Sequence, residues 1–249
     1  MARVGDTVTA RVLGVLDAFS AEHPELTLTE IARRSALPLS TAHRLVAELA
    51  GWGALERGDD GRYRIGLRLW EVGALAPRSV GLREAAMPFL TDLHEVTGEN
   101  VQLAVLDGAE VVYVDRISGR GAVNVITRVG GRLPLHATGV GLVLLAHAPA
   151  ALQEQVLAAP LRRYTERTIC APAELRRVLA DVRRTGVAVS DRQIELVALS
   201  VAAPVRGPRD EVVAALSVVV PAATSDARAY VPVVRAAARG VSRSLGASG

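Results

Sequence analysis

The chain of 249 residues contains one cysteine, Cys170, and no lysine; all 29 of its basic residues are arginine. A single thiol excludes an internal disulfide and fits a reducing compartment, the cytoplasm. The exclusive use of arginine reads as genomic composition bias rather than as a functional signature. Aromatic residues make up only 3% of the chain, too few for a single-strand binder that stacks bases on side-chain rings. No apolar run reaches the ~18 residues that a bilayer span needs, and the N-terminus lacks the basic-then-apolar pattern of a secretory signal. No membrane partner is therefore expected. The five histidines and the one cysteine show no metal-ligand spacing. Gly139-Val140-Gly141 is not followed by Lys and Ser/Thr, which excludes a phosphate loop. Nucleophile, acid and base do not converge anywhere in the sequence, so no catalytic residue, metal or cofactor is predicted.

What is present is concentrated in residues 28–66. The order there is a short helix, a tight turn at Pro38, a second helix and a two-stranded hairpin, the arrangement that places one helix in the major groove of DNA. Thr29 is placed to cap the first helix, with Glu30 in its first turn. Ile31 and Ala32 face inward while Arg33 and Arg34 stay wet. Ser40 or Thr41 caps the second helix. Ala42, Leu45, Val46 and Leu49 give that helix one apolar stripe, and Ser40, Thr41, His43, Arg44, Ala47 and Glu48 form its other face. Short hydroxyls reach phosphates and base edges, and arginine pairs bidentately with guanine. Residues 54–57 and 62–65 flank Gly58-Asp59-Asp60-Gly61, a strong turn signal, which sets Arg62 and Arg64 on a wing. The candidate DNA contacts are thus Thr29, Arg33, Arg34, Ser40, Thr41, His43, Arg44, Arg62 and Arg64. Residues 1–32 hold two Arg against five acidic residues, whereas 33–68 hold seven Arg against four. This local stripe supports a few phosphate contacts and a salt-dependent affinity.

Val8, Val12, Val15, Leu16 and Phe19 predict an amphipathic helix ahead of this unit. Leu67 to Ala76, stopped by Pro77, is apolar most of the way round, as in a linker helix buried between domains or subunits. A long helix follows from Val80 to Thr97. Strands are predicted at Val101–Leu106, Val111–Val114, Val123–Thr127, Val187–Ser190, Leu199–Val205 and Val212–Val220. Helices are predicted from Gly139–Gly141 to near His147, from Pro172 to Thr185, and from Arg228 to Leu245. The fold class is α+β with a mainly antiparallel sheet. Its domains are 1–66, a winged helix-turn-helix, 67–79, a linker helix, and 80–249, a separate domain of mixed strands and helices.

The chain resembles the IclR-type transcriptional regulators over nearly its whole length. The residues that carry the resemblance are Ser40-Thr41-Ala42-His43-Arg44-Leu45, Tyr63-Arg64-Ile65-Gly66, the loop Leu133 to Gly141, and Val201-Ala202-Ala203-Pro204-Val205 followed by Ala214-Ala215-Leu216-Ser217. The resemblance implies a GAF-like effector-binding domain, homodimers or homotetramers, and inverted-repeat operators. It also implies repression of nearby catabolic genes under the control of a small organic acid. Carried over position by position, the effector pocket comprises Val125, Gly139, Val140, Asp191, Ser200 and Ser217, with Thr138, Gly141 and Val219 beside them. Four positions depart from the family pattern. Ala36 stands where a turn glycine is usual, Leu142 where Lys follows Gly-x-Gly, Ser200 where many members have Cys, and Val197 where Gly is frequent. With placement good to one residue, Ser190 is an alternative to Asp191.

Two readings of Gly139-Val140-Gly141 stand at this point: backbone amides that cradle an anion, or tight backbone packing. His136 reads as a hydrogen-bonded structural histidine. Arg162-Arg163, Arg176-Arg177 and Arg183-Arg184 read as solvated helix faces. An enzyme on the C-terminal domain and a pure protein-interaction module are the rival function classes; the latter has no need of Ser40, Thr41 and Arg44 on one helix face. For the effector the expectation is an aromatic or branched acid against Val125, Val140 and Val219, because apolar walls favour carbon-rich ligands. Its carboxylate would sit at the Gly139–Gly141 amides and Ser217, and Asp191 and Ser200 would orient a hydroxyl or amine.

Overall fold

The computed structural model describes residues 7–20, 22–76, 80–119 and 121–247. Two compact units divide the chain, Met1–Val80 and Gly81–Gly249.

In the first unit, α1 (Val8–Asp17), β1 (Glu25–Leu26), α2 (Leu28–Arg34), α3 (Leu39–Trp52), β2 (Leu55–Arg57), β3 (Tyr63–Ile65) and α4 (Leu67–Gly73) follow one another. The three strands form one antiparallel sheet in the order β1-β3-β2. Its core is Val15, Leu26, Ile31, Leu45, Val46 and Leu55, so the apolar stripes of α1, α2 and α3 meet one another and the hairpin. Helix α2 starts two residues earlier than Thr29 would set it. Thr27 is its N-cap, its hydroxyl accepting from the Glu30 amide at 3.3 Å while the Glu30 carboxylate accepts from the Thr27 amide at 2.8 Å. This reciprocal pair satisfies two orphan donors at once, which the single cap at Thr29 does not. At α3 the expected Ser or Thr cap is also absent. Pro38 occupies the N-cap position and makes no side-chain cap, so Ser40 and Thr41 lie inside the first turn, Ser40 exposed and Thr41 half-buried. The α2–α3 turn runs through Ala36 at φ +55°, the left-handed conformation that disfavours a β-carbon.

Helix α4 and the turn after it are not buried: Leu67 and Trp70 of the helix and Leu75 beyond it keep 61%, 67% and 79% of their surface exposed. Its apolar belt needs cover that its own chain does not supply within this unit. Pro77, taken from sequence as its stop, lies outside the described residues; the helix ends at Gly73.

The second unit contains α5 (Val80–Thr97), β4 (Asn100–Asp107), β5 (Glu110–Ile117), β6 (Arg132–Pro134), α6 (Gly139–Ala146), α7 (Ala150–Ala158), α8 (Pro172–Thr185), β7 (Ala188–Asp191), β8 (Ala198–Arg206), β9 (Val212–Pro221) and α9 (Ala227–Ser244). Six strands make an antiparallel sheet in the order β6-β5-β4-β9-β8-β7. Alternation along each strand sends one set of side chains to each face. Val101, Leu103, Leu216 and Val218 meet Leu90 of α5 and Val234 and Val241 of α9. Ala104, Ala202 and Ala215 meet Leu142 and Leu145 of α6 and Leu175 and Leu179 of α8. Small residues on that second face let α6 approach closely, and every residue of α6 is buried.

Two expectations need correction. Val123–Thr127 is not a strand: β6 and Gly130–Gly131 take the edge of β5 only at Glu110–Tyr113, and residues 123–127 are held instead by side chains, Asn100 donating to the Val123 carbonyl and Gln102 to the Thr127 hydroxyl. Helix α7 was not expected, since Ala-Ala-Leu-Gln-Glu-Gln-Val-Leu-Ala carries no clear apolar stripe. His136 is structural: its Nε2 lies 2.9 Å from the Arg162 carbonyl oxygen, and its ring tilts against Tyr164 at 6.1 Å.

Candidate nucleic-acid interface and ligand cavity

The outer face of α3 carries Ser40, His43, Arg44 and Glu48 exposed, with Thr41 half-buried. Arg44 is tethered by its own helix, its guanidinium donating to Glu48 at 2.7 Å, with both side chains 59% exposed. On the wing, Arg64 pairs with Glu56 at 3.1 Å, and Arg62 lies at 3.4 Å from Glu30 and 3.7 Å from Asp60. These exposed pairs are weak and exchangeable for phosphate. Two hydrogen bonds from Thr27, with Arg62 and Arg33 adding less, hold the Glu30 carboxyl below its usual range. Thr29 and Arg33 are exposed on α2. Arg34 is partly committed elsewhere, its Nε donating to the Ala18 carbonyl at 2.7 Å, so it braces α2 on α1. Arg57, which sequence reasoning passed over, lies on the wing with its guanidinium 5.8 Å from the Tyr63 ring centre.

In the second unit a narrow cavity opens at the N-terminus of α6. It is lined by Val125, Thr138, Gly139, Ser200 and Val219 of the expected set, and by Gln102, Tyr113, Thr127, Leu133, Ser190, Ile194, Glu195 and Ala198 besides. Its volume is about 30 Å³, room for a water molecule and little more.

Four expected positions are placed differently. Val140 points into the α6–α8 core and does not line the cavity. Asp191 turns away and pairs with Arg192 at 3.1 Å, while its neighbour Ser190 faces inward and donates to the Ala137 carbonyl. The period of two along β7 makes a one-residue error in placement a change of face. Gly141 does not offer its amide, which donates to the capping Thr138 hydroxyl at 3.2 Å. This leaves Gly139 and Val140 as the helix amides without an acceptor in their own helix. Ser217 does not line the cavity, but it pairs across the sheet with the cavity residue Gln102 and with Ala202, and its fully buried hydroxyl has no partner.

Both glycines answer to close approach. A β-carbon on Gly139 would stand 2.6 Å from the Ser200 hydroxyl, and one on Gly141 would stand 2.4 Å from the Thr138 hydroxyl and 2.5 Å from the Leu135 carbonyl. The packing reading therefore holds for Gly141, whereas Gly139 combines packing with a place in the cavity wall.

The polar groups that sequence reasoning missed are the informative ones. Glu195 brings a carboxylate into the cavity, one oxygen accepting from the Ile126 amide at 3.1 Å. Gln102 donates to Thr127 at 2.6 Å. Arg116, behind them, donates to the Thr127 carbonyl and to Asn100 at 3.2 Å, and its buried Nε has no partner. Burial pushes the Tyr113 phenol well above its usual range, against a smaller opposing pull from the Thr138 hydroxyl, so it stays neutral. No local motif marks these residues; only the register of β4 on β5, which sets Gln102 opposite Arg116, brings them together.

The chain matches known proteins in both units. Residues 8–59 match the IclR helix-turn-helix domain and residues 75–243 match the C-terminal domain of bacterial transcriptional regulator IclR. It is 36% identical over 213 residues to the HTH-type transcriptional regulator XynR of Escherichia coli, covering 83% of each chain. It is 31% identical over 216 residues to the transcriptional repressor IclR of the same organism, covering 84% of this chain and 77% of that one. Among solved structures, an IclR homologue from Microbacterium hydrocarbonoxydans in complex with 4-hydroxybenzoate is 42% identical, with a TM-score of 0.93 over 97% of this chain and 100% of that one. The IclR of Thermotoga maritima is 28% identical, with a TM-score of 0.79 over 96% and 98%. With helix-turn-helix and C-terminal domain both matched, the chain belongs to the IclR family of bacterial transcriptional regulators.

Proposed function

We propose that this protein is a cytoplasmic, effector-controlled repressor of catabolic genes, and that its effector is an aromatic hydroxy acid. The observation that carries the effector reading is the mixed lining of this cavity. The amides of Gly139 and Val140 and the positive end of α6 suit a carboxylate. Glu195 in the same lining is an acceptor that favours a ligand bringing its own hydroxyl. Val125, Ala198 and Val219 add an apolar cluster to the wall. Ser190 and Ser200 take the orienting role expected of Asp191 and Ser200. The 42%-identical relative, solved with 4-hydroxybenzoate, carries a ligand of this chemistry.

The cavity is too small for such a ligand in the present conformation, since small-molecule sites run to ~300 Å³ and above. The wall that yields is residues 121–131, which lack helix or strand. Side-chain bonds hold this wall: Asn100 to the Val123 carbonyl at 2.8 Å, Gln102 to Thr127, and Glu195 to the Ile126 amide. A ligand that takes over Glu195 and Gln102 releases the wall. This gives the differential binding between two states that regulation requires.

DNA binding falls to Ser40, Thr41, His43 and Arg44 on α3, with Thr29, Arg33, Arg62 and Arg64 on phosphates. The exposed belt of Leu67, Trp70 and Leu75 supports self-association into dimers or tetramers that read an inverted repeat. Calorimetry against benzoate, 4-hydroxybenzoate, a branched acid, glyoxylate and pyruvate tests the effector reading. It expects 4-hydroxybenzoate to bind best and Glu195→Gln to erase its advantage over benzoate. Tight binding of glyoxylate or pyruvate with the aromatic acids silent refutes it.

A further inference from the structure

On the sheet face opposite α6, a second and larger cavity of about 650 Å³ lies between α9, the end of β8 and the α8–β7 turn. Arg206, Arg235, Arg239 and Arg243 surround a floor that includes Pro204 and Ala238. Asp210 is the one acidic residue in the lining, and Arg206 occupies it at 3.2 Å. Arg235 donates to the Thr185 carbonyl. Arg239 and Arg243 are exposed and their side chains have no hydrogen bond or ion pair among the described residues.

Arg235, Arg239 and Arg243 are spaced four residues apart, so they stack along one side of α9. Like charges at that spacing destabilise a helix, and α9 carries four arginines and no acidic residue to offset them. The helix C-terminus accounts for Arg243 in the last turn, and its field does not reach back to Arg235. The arrangement answers to an anion that sits among the guanidinium groups. Arginine forks match phosphate oxygens bidentately. The cavity has the volume of a small-molecule site, ~300–1,000 Å³. The Pro204 and Ala238 floor offers carbon surface to the body of the ligand.

We infer that this groove is a second ligand site, for a polyphosphorylated small molecule of nucleotide size, separate from the acid-binding cavity at α6. The test is calorimetry on the full chain with ATP and with inorganic triphosphate as probes, against sodium sulfate at matched ionic strength. The expected result is saturable one-to-one binding of ATP that sulfate does not reproduce. Arg239→Gln and Arg243→Gln, both exposed and with unpaired side chains, should each weaken it about tenfold with the melting temperature unchanged or slightly raised. Absence of saturable binding, or equal affinity in the variants, overturns the inference. So does loss of duplex affinity in the same variants without any binding of ATP, which would make the groove a nucleic-acid surface. Response to aromatic acids is read separately, so failure here leaves the α6 reading standing.

Discussion

Substituting the two glycines at the start of α6 by alanine separates what each does. At Gly139 the new methyl meets the Ser200 hydroxyl at 2.6 Å, its β-carbon at 3.2 Å and the Ala202 β-carbon at 3.4 Å. The hydroxyl can rotate away, so the strain is at the low end of the ~1–3 kcal/mol typical of overpacking. Alanine's better helix propensity, worth up to ~1 kcal/mol over glycine, offsets part of it. Gly139→Ala should therefore fold, with a net loss of about 1 kcal/mol, or roughly 2–4 °C in melting temperature. The methyl nevertheless enters a cavity of about 30 Å³ and covers the amide that the carboxylate would use, so aromatic-acid binding should fall at least tenfold. Duplex affinity without ligand should not change. At Gly141 the obstacles are the Leu135 carbonyl at 2.5 Å and α-carbon at 2.7 Å, which are backbone, and the capping Thr138 hydroxyl. Gly141→Ala should cost about 3 kcal/mol or more, through overpacking and loss of the cap together. Thermal unfolding, calorimetry with 4-hydroxybenzoate and fluorescence anisotropy on a duplex read the three quantities. If Gly139→Ala binds the acid as the parent does, the cavity is not the effector site. If Gly141→Ala is as stable as the parent, the packing argument is wrong.

Glu48→Ala should strengthen duplex binding about two- to fivefold, because it frees Arg44 from an exposed pair worth ~0.3–0.5 kcal/mol and removes a negative charge facing phosphate. Arg44→Ala should weaken specific binding by about 1–3 kcal/mol, and anisotropy at fixed salt measures both. Ala36→Gly should stabilise the first unit by about 0.5–1 kcal/mol. It relieves a left-handed alanine, worth ~1–2 kcal/mol, and loses part of that to unfolded-state entropy; denaturant unfolding of parent and variant checks it. Burial, partly opposed by a hydrogen bond to the Val143 carbonyl, lowers the His147 pKa below 6.5. The unfolded chain then takes up the proton first, so His147 destabilises the fold progressively as pH falls below about 6.5 and has no such effect above it. His147→Gln should flatten that part of the stability–pH curve.

Local signals carried most of this fold. The stripes Val8–Phe19 and Ala42–Leu49, the turn Gly58–Gly61 and the long apolar runs of β8 and β9 each state their structure within a few residues. Capping was legible only in part: Thr27 and Thr29 compete at α2, where the reciprocal bond of Thr27 with Glu30 decides, and at α3 Pro38 takes the position expected of Ser40 or Thr41. Val123–Thr127 reads as a strand by composition, yet side chains of β4, Asn100 and Gln102, hold it instead of a strand ladder. The cavity was legible where it follows a glycine-rich loop, at Thr138 and Gly139. It was not legible at Gln102, Tyr113 or Glu195, which lie on two strands and a loop and meet only through cross-strand register. Asp191 and Ser190 show the sharpest limit, because one residue of uncertainty on a strand exchanges the face that lines the cavity for the one that meets Arg192.

In the proposed function, one chain couples sequence-specific duplex binding to the occupancy of the α6 cavity. Fluorescence anisotropy with duplexes from the region flanking its own gene, titrated with 4-hydroxybenzoate at several salt concentrations, reads both halves of that coupling. The expected result is a salt-sensitive preference for one inverted-repeat duplex over random DNA, a saturable change in that affinity with the acid, and loss of the acid's effect in Gly139→Ala. A chain that binds no duplex above random sequence, or whose duplex affinity is indifferent to every acid that binds it, does not couple the two.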